Sequence, residues 1–446
     1  MPGTSVPATI SVPFSGEGSG IGELTWGQRE ILRAVRLSGH SIFLGGVTPL
    51  PESWTVDDVV LRVRFLMRRH QSLRTRLVRD SRGGAKQVLS ASGELVIELY
   101  DASEEEDEDP RTLADAVNSR YGQTDFDEEH EWPVRVAVVR RSGVLRYAVF
   151  VYNHLMIDGM GLAALLSDLA TMDPVTGDAP PVTALQPLEL AARQSTAAAR
   201  RQREAALRHW EAIARAVPCR QSTVADPQDP PYRELCYRSP AGLLATRSIA
   251  ARRGTDTGPV LLAACAVALG RVTGISPVVL LSVVNNRFRP GLANAVMQLA
   301  QRAPCLFEVE GRSFEQVLAQ ARRASLQAGV SSYLDPDECD RMLERVERER
   351  GERVDLSCFY NDRRVPGTSE TNRVADPEEI SRLLPGTSSS WRGRLGTQDN
   401  EFFLHINDSP DALDFLICAD SRFLGPAGLE RCAREFEAVL IRAATT

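Results

Sequence analysis

The stretch Val149-Phe150-Val151-Tyr152-Asn153-His154-Leu155-Met156-Ile157-Asp158-Gly159 decides how this chain is read. Its first four residues have the β-branched and aromatic character of a strand. Beyond Gly159, Leu162, Leu165, Leu166 and Leu169 recur at the spacing of a helix face. A strand therefore delivers a His-x-x-x-Asp-Gly turn onto the start of a helix. Imidazole, with an ordinary pKa of about 6.5, suits proton transfer at neutral pH, so His154 is the candidate acid-base residue. The spacing leaves two other roles open: a satisfied core histidine, and a metal pair with Asp158 four residues on. No second histidine or carboxylate cluster accompanies the pair, which argues against metal.

Outward from this turn, 132–139 and 144–152 read as two strands joined by the hairpin composition Arg140-Arg141-Ser142-Gly143. Farther upstream, 24–37 has helical apolar spacing and 41–47 strand character. Thr55 followed by Asp58 caps a helix that runs to about His70, with Arg68, Arg69 and His70 at its negative end. Strands are expected at 73–78 and 95–100, and the acidic run 104–109 reads as a solvated loop. Downstream, 173–187 has linker composition, 188–216 reads as one long surface helix, and a Pro-rich break falls at 226–231. Helices at 258–272, 313–328 and 428–442 alternate with strands at 277–284, 354–360, 401–407 and 412–419. This alternation predicts an α/β architecture. Its expected division is a flexible leader over 1–20, an N-terminal lobe over 21–175, a linker over 176–187 and a C-terminal lobe over 188–446.

Composition narrows the chemistry. The chain has 446 residues, 43% hydrophobic and 25% charged, which is ordinary for a folded protein and too long for a single core of about 150 residues. A net charge of -7 argues against tracking nucleic-acid phosphates. Lys86 is the single lysine, and it sits in Ser81-Arg-Gly-Gly-Ala-Lys86-Gln, so neither a phosphate-binding Gly-Lys-Ser/Thr loop nor a Schiff-base lysine is available. The arginine bias is read as a mark of a GC-rich genome. Eight cysteines are scattered without a Cys-x-x-Cys pair, the usage of reduced, buried thiols in the cytoplasm. The start carries no basic-plus-apolar signal, and the longest apolar run, 259–269, is too short to cross a bilayer.

A family resemblance rests on four motifs. Asn153-His154-Leu-Met-Ile-Asp158-Gly159 resembles the His-His-x-x-x-Asp-Gly motif of the condensation domains of nonribosomal peptide synthetases, members of the chloramphenicol-acetyltransferase-like superfamily. Leu24-Thr25-Trp26-Gly27-Gln28 is similar to their opening motif, and Arg69-His70-Gln71-Ser72-Leu73-Arg74-Thr75 to their Arg-His-x-x-Leu-Arg-Thr. Asn286-Arg287 resembles the arginine element after the first strand of the second lobe. The order and spacing agree over about residues 22–443. The chain departs from the pattern at Asn153, where the first histidine of the pair stands. It departs again at Val296-Met-Gln-Leu-Ala-Gln301-Arg302, in place of Gly-x-Phe-Val-Asn-Thr, and at Ser331-Ser-Tyr-Leu-Asp-Pro336, in place of Gln-Asp-x-Pro-Phe-Glu.

The resemblance implies two chloramphenicol-acetyltransferase-like lobes in a V with a central tunnel. It implies a stand-alone condensation enzyme that moves an acyl or aminoacyl group from a carrier-protein thioester to an amine or hydroxyl. His154 would be catalytic, by deprotonating or hydrogen-bonding the acceptor. Asn153, Asp158, Gly159 and Arg287 would support the site: Asp158 paired with Arg287, Gly159 easing the turn into the helix, and Asn153 facing away and bonding backbone. The expected partners are an acyl or peptidyl carrier protein, whose phosphopantetheine arm tethers the donor, and a small-molecule acceptor or second carrier. No tightly bound cofactor, metal, nucleic acid or membrane is expected, and the chain is expected to be a cytoplasmic monomer. Two alternatives stand beside this: transfer from acyl-CoA, and a non-catalytic recruitment domain.

Overall fold

The computed structural model describes residues 7–79, 84–103, 109–217, 231–364, 373–395 and 398–446. Contacts divide the chain into two units. Unit 1 is Met1–Arg200 with Asn285–Ala300, and unit 2 is Arg201–Val284 with Gln301–Thr446.

Unit 1 runs β1 (Ala8–Ser15), β2 (Gly20–Glu23), α1 (Trp26–Ser38), β3 (Phe43–Pro49), α2 (Val56–Arg69), β4 (Thr75–Arg79), β5 (Ala85–Leu89), β6 (Ser92–Asp101), α3 (Pro110–Gln123), β7 (Val134–Arg141), β8 (Val144–Asn153), α4 (Gly159–Leu169) and α5 (Pro187–Gln194). Among the described residues it holds a five-stranded sheet, ordered β1-β6-β7-β8-β3, and a three-stranded sheet, β2-β5-β4. Helices α1 and α2 are fixed by their first residues. Thr25 accepts from the Gln28 N–H while the Gln28 side chain returns to the Thr25 N–H, and Thr55 and Asp58 repeat the arrangement on α2. The alternation of β7 and β8 buries Val136, Val138 and Tyr152 against Leu66 of α2 and Leu165 of α4, at about 1.5–3 kcal/mol for each large apolar side chain. That packing seats α4, and with it the turn at 153–158.

Helix α6 (Ala197–Ala216) carries the chain from unit 1 into unit 2. Unit 2 continues with β9 (Tyr232–Ser239), α7 (Pro240–Arg253), α8 (Thr257–Thr273), β10 (Val278–Val284), β11 (Gln301–Phe307), α9 (Phe314–Ser331), α10 (Pro336–Arg350), β12 (Cys358–Asp362), α11 (Pro377–Leu383), β13 (Ser388–Leu395), β14 (Phe402–Asn407), β15 (Leu413–Asp420) and α12 (Pro426–Thr445). Its described strands form a seven-stranded sheet ordered β11-β10-β12-β14-β15-β9-β13. Helix α8 is apolar almost all round, which suits burial on every side: Val260 through Gly270 are buried against the sheet and α12.

The α/β expectation holds, with several corrections in detail. Residues 8–15 are not a leader but the edge strand β1, paired with β6 from Ala8↔Leu99 to Ser15↔Ser92. Its Gly-, Ser- and Pro-rich surroundings hide an alternation that buries Val12 and Phe14, and Pro13 is tolerated because the strand lies at the sheet edge. The lobe boundary also moves. Helix α5 packs on β2, with the Gln194 side chain accepting the Trp26 N–H at 2.9 Å, so 188–200 belong to unit 1. Residues 285–300 return to unit 1 as well. The single helix expected at 188–216 breaks at Ser195-Thr196, whose hydroxyls turn back to the Ala191 and Arg193 carbonyls. The expected loop at 104–108, the turn at 81–83, the break at 226–230 and Cys219 lie outside the described residues. The other seven cysteines are free, and all but half-buried Cys236 are buried.

Candidate active site

Strand β8 ends at Asn153, whose N–H donates to the Pro133 carbonyl at 2.9 Å while the next N–H, of His154, donates to Ile42 at 2.8 Å. Both neighbouring segments thus hold the strand end. Asn153 is 3% exposed, and its Oδ1 accepts the Leu155 N–H at 3.0 Å, closing the turn on itself. Within 151–158 every residue is buried except His154, which is half-buried. Its Nδ1 lies 2.9 Å from the Ile157 carbonyl. A carbonyl only accepts, so in the neutral ring Nδ1 carries the proton and the basic lone pair belongs to Nε2. The turn therefore sets both the orientation and the tautomer of the imidazole.

Asp158 caps α4 by accepting the Gly161 N–H at 2.6 Å. Its carboxylate also accepts the N–H groups of Leu299 and Ala300, at 2.8 and 2.9 Å. Arg287 completes the set at 2.8 Å, and both partners of this ion pair are nearly inaccessible. The same guanidinium donates to the Ala295 and Met297 carbonyls, each at 3.0 Å. With its lone pairs engaged in this way, Asp158 acts on position: it ties the start of α4 to the returning segment 285–300. Asn286, in left-handed conformation with φ 58, supports that segment by donating to the Leu299 carbonyl at 3.1 Å.

The expectation for Gly159 is corrected. It has ordinary backbone angles, and a Cβ there would meet open space. The steric demand falls on Gly161, where a Cβ would stand 2.8 Å from the Met297 carbonyl and 2.9 Å from the Arg287 guanidinium. Sequence reasoning missed Gly161, though Gly159-Met-Gly161 offered it as the second glycine of the pair.

The other motifs brace the same turn. Gly27 lies where a Cβ would be 2.4 Å from the Gln298 carbonyl, and Gln28 Nε2 reaches Met156 Sδ at 3.4 Å and Gln87 Oε1 at 3.3 Å. Ser72 donates to the Val296 carbonyl at 2.6 Å. Arg69 and His70 hold the far end of α4, with Arg69 Nη2 at 2.8 Å and His70 Nε2 at 3.0 Å from the Asp168 carboxylate. Burial alone would raise the Asp168 pKa, but these hydrogen bonds outweigh it and hold the carboxyl well below its ordinary range. Arg74, fully buried, donates to the Glu17, Gly18 and Ser90 carbonyls and so anchors the connection after β1. In unit 2, Gln301 and the 331–336 stretch are joined by the Gln301 amide donating to the Leu334 carbonyl at 2.7 Å. Among the described residues, no group of three or more His, Cys, Asp or Glu side chains is placed to hold a metal, and no single helix is long and apolar enough to cross a membrane.

Comparison with known proteins gives concordant findings. The family model for the condensation domain matches residues 50–350. A polyketide synthase-nonribosomal peptide synthetase of Aspergillus clavatus is 30% identical over 115 residues, which is 26% of this chain and 3% of that much longer protein. Among solved structures, the condensation domain of the enacyloxin polyketide synthase that mediates chain release is 19% identical, with a TM-score of 0.71 over 97% of this chain and 83% of that one. A variant starter condensation domain of rhizomide synthetase, in complex with C8-CoA, is 16% identical, with a TM-score of 0.71 over 96% of this chain and 95% of that one. At these identities the likeness is one of fold.

Proposed function

The chain belongs to the condensation-domain family, and from that premise we propose that it is an acyltransferase of condensation type. It takes an acyl or aminoacyl group from the phosphopantetheine thioester of a carrier protein and gives it to an amine or hydroxyl. The observation that carries this reading is the Nδ1 contact of His154 with the Ile157 carbonyl, which leaves Nε2 as the base at the one half-buried position of an otherwise buried turn. Nε2 receives the proton of the acceptor as its nitrogen or oxygen attacks the thioester carbonyl carbon. The C–S bond then breaks and the proton passes to the departing sulfur, so no covalent enzyme intermediate forms. Orienting donor and acceptor together supplies much of the remaining acceleration. Asn153, Asp158, Gly161 and Arg287 position this base without touching the reacting atoms.

The reading places the protein in natural-product assembly, acting in the cytoplasm as a monomer with a carrier protein as its partner. A second reading, transfer from acyl-CoA, is favoured by the C8-CoA complex of the rhizomide relative. Intact-mass spectrometry separates the readings when the chain is offered an acceptor with a loaded carrier protein or with the matching acyl-CoA. Turnover from the carrier alone supports the first reading, and turnover from acyl-CoA alone supports the second. Transfer from neither, over a panel of donors, makes this a non-catalytic recruitment domain.

A further inference from the structure

Two buried side-chain amides lead from the start of α1 to the His154 turn, and their partners fix which way each one points. The Gln28 amide oxygen accepts the Thr25 N–H at 2.8 Å. A backbone N–H only donates, so this oxygen must face the helix cap and the amide nitrogen must face away from it. That nitrogen meets Gln87 Oε1 at 3.3 Å and Met156 Sδ at 3.4 Å. Gln87 is turned by the same logic. Its nitrogen donates to the Glu23 carbonyl at 2.8 Å and the Pro187 carbonyl at 3.3 Å, which leaves its oxygen for Gln28.

The last link in this row is the weakest acceptor. A thioether takes a hydrogen bond poorly, yet without it one Gln28 N–H would have no partner. Gln28, Gln87 and Met156 are all buried, and Met156 packs with Leu24, Leu32, Leu77 and Leu155, a setting in which an unpaired N–H is costly. Met156 also lies inside the turn that carries His154. Its N–H donates to the Asn153 carbonyl at 3.0 Å. Ile157, whose carbonyl holds His154 Nδ1 at 2.9 Å, therefore stands between two anchored residues: Met156 on the Gln28 amide and Asp158 on Arg287.

We infer that Gln28 is a positioning residue for His154. Its amide holds the Met156 thioether, Met156 and Asp158 together fix the Ile157 carbonyl, and that carbonyl keeps the imidazole in the tautomer whose basic nitrogen is Nε2. The inference rests on the acyl-transfer reading for the use made of that base, whereas the tautomer itself is read without turnover.

The test uses the full chain, isotope-labelled at its histidine nitrogens, with His154→Ala identifying the His154 signals. Met156→Leu keeps the volume of the side chain and removes the sulfur. Gln28→Glu keeps an oxygen for the Thr25 N–H and removes the donors. Above the imidazole pKa, the nitrogen shifts of wild-type His154 should report the Nδ1–H form. Both variants, with wild-type circular dichroism, should move those shifts toward a mixture with the Nε2–H form. They should also lower kcat with a carrier-bound donor about tenfold and leave KM within about twofold, since both side chains are sealed from solvent. The double variant should fall no further than the worse single one, because both cut the same link. Folded variants whose His154 shifts do not move overturn the inference, and so do moved shifts with wild-type kcat. Moved shifts in a chain that transfers nothing even as wild type uphold the positioning and count against the acyl-transfer reading instead. Where Gln28→Glu fails to fold, Met156→Leu decides the matter.

Discussion

Asp158 and Arg287 lie 129 residues apart in the chain and close on each other at 2.8 Å inside unit 1. The pair is buried, and each member also holds backbone: Asp158 the N–H groups of Gly161, Leu299 and Ala300, Arg287 the carbonyls of Ala295 and Met297. Removing one partner leaves the other charge uncompensated. Asp158→Ala is therefore expected to cost about 3–5 kcal/mol of stability. Arg287→Met should cost a similar amount, and the double variant less than the sum of the two. Denaturant titration of all three checks this, and strict additivity would falsify the coupling.

His154→Ala should lower turnover with a carrier-bound donor by about 100-fold or more, the usual range for a lost acid-base group, with unaltered melting. The turn is also held by backbone, with the His154 N–H on the Ile42 carbonyl and the Met156 N–H on the Asn153 carbonyl, and neither bond needs the ring. Full turnover by the folded variant would remove His154 from the mechanism.

Asn153 accepts the Leu155 N–H from a buried position. Asn153→Ala leaves that donor without a partner and should cost about 1–3 kcal/mol. Asn153→His can still present an acceptor, and its turnover is expected to stay within about tenfold of wild type. Melting temperature and turnover measured in parallel test both. A normal melt with turnover reduced by more than a thousandfold in Asn153→Ala would make the residue catalytic.

Acid should loosen the far end of α4. The Asp168 carboxyl titrates well below its ordinary range in the folded chain, because the hydrogen bonds of His70 and Arg69 outweigh the opposing effect of burial. Its contribution is thus complete above the unfolded carboxyl pKa of about 4 and disappears as pH falls below that value towards the folded one. Asp168→Asn should destabilise the chain at neutral pH by about 1–3 kcal/mol and flatten the acid limb of its stability curve. A variant with the wild-type slope below pH 4 would contradict this.

Arg74→Met should release the connection after β1, because the carbonyls of Glu17, Gly18 and Ser90 lose their common donor. The expected cost is about 3 kcal/mol, together with faster amide exchange over residues 8–18. Unchanged exchange there would show that β1 holds without the clamp.

What could be read from the sequence was local. The capping pair Thr55/Asp58, the β7–β8 hairpin and the apolar helix α8 each depend on neighbours a few residues away, and their signals were plain, whereas the like pair Thr25/Gln28 was read only as part of a motif. Strand β1 was missed because only its partner β6 makes sense of its alternation. Strand β9 mixes charged and apolar residues because its two faces meet different surroundings, and the helix pattern at 188–216 hid a two-residue break. In the site, residue types and motif spacing pointed to His154, Asp158 and Arg287. The demand on Gly161, the Ser72 bond to Val296 and the Gln28 contact with Met156 arise between segments far apart in sequence, so no local pattern announced them.

The return of 285–300 to unit 1 has a consequence for biogenesis. A nascent chain that has emerged only as far as Arg200 lacks Arg287, the carbonyls that Gly161 and Ser72 meet, and two of the N–H groups that serve Asp158. The ribosome must deliver a further stretch that belongs to the other unit before the missing piece arrives, so vectorial synthesis cannot complete the first unit before starting the second. A fragment cut at the contact boundary after Arg200 should be a poor expression product, whereas a cut after Ala300 keeps every covalent piece that the His154 turn rests on.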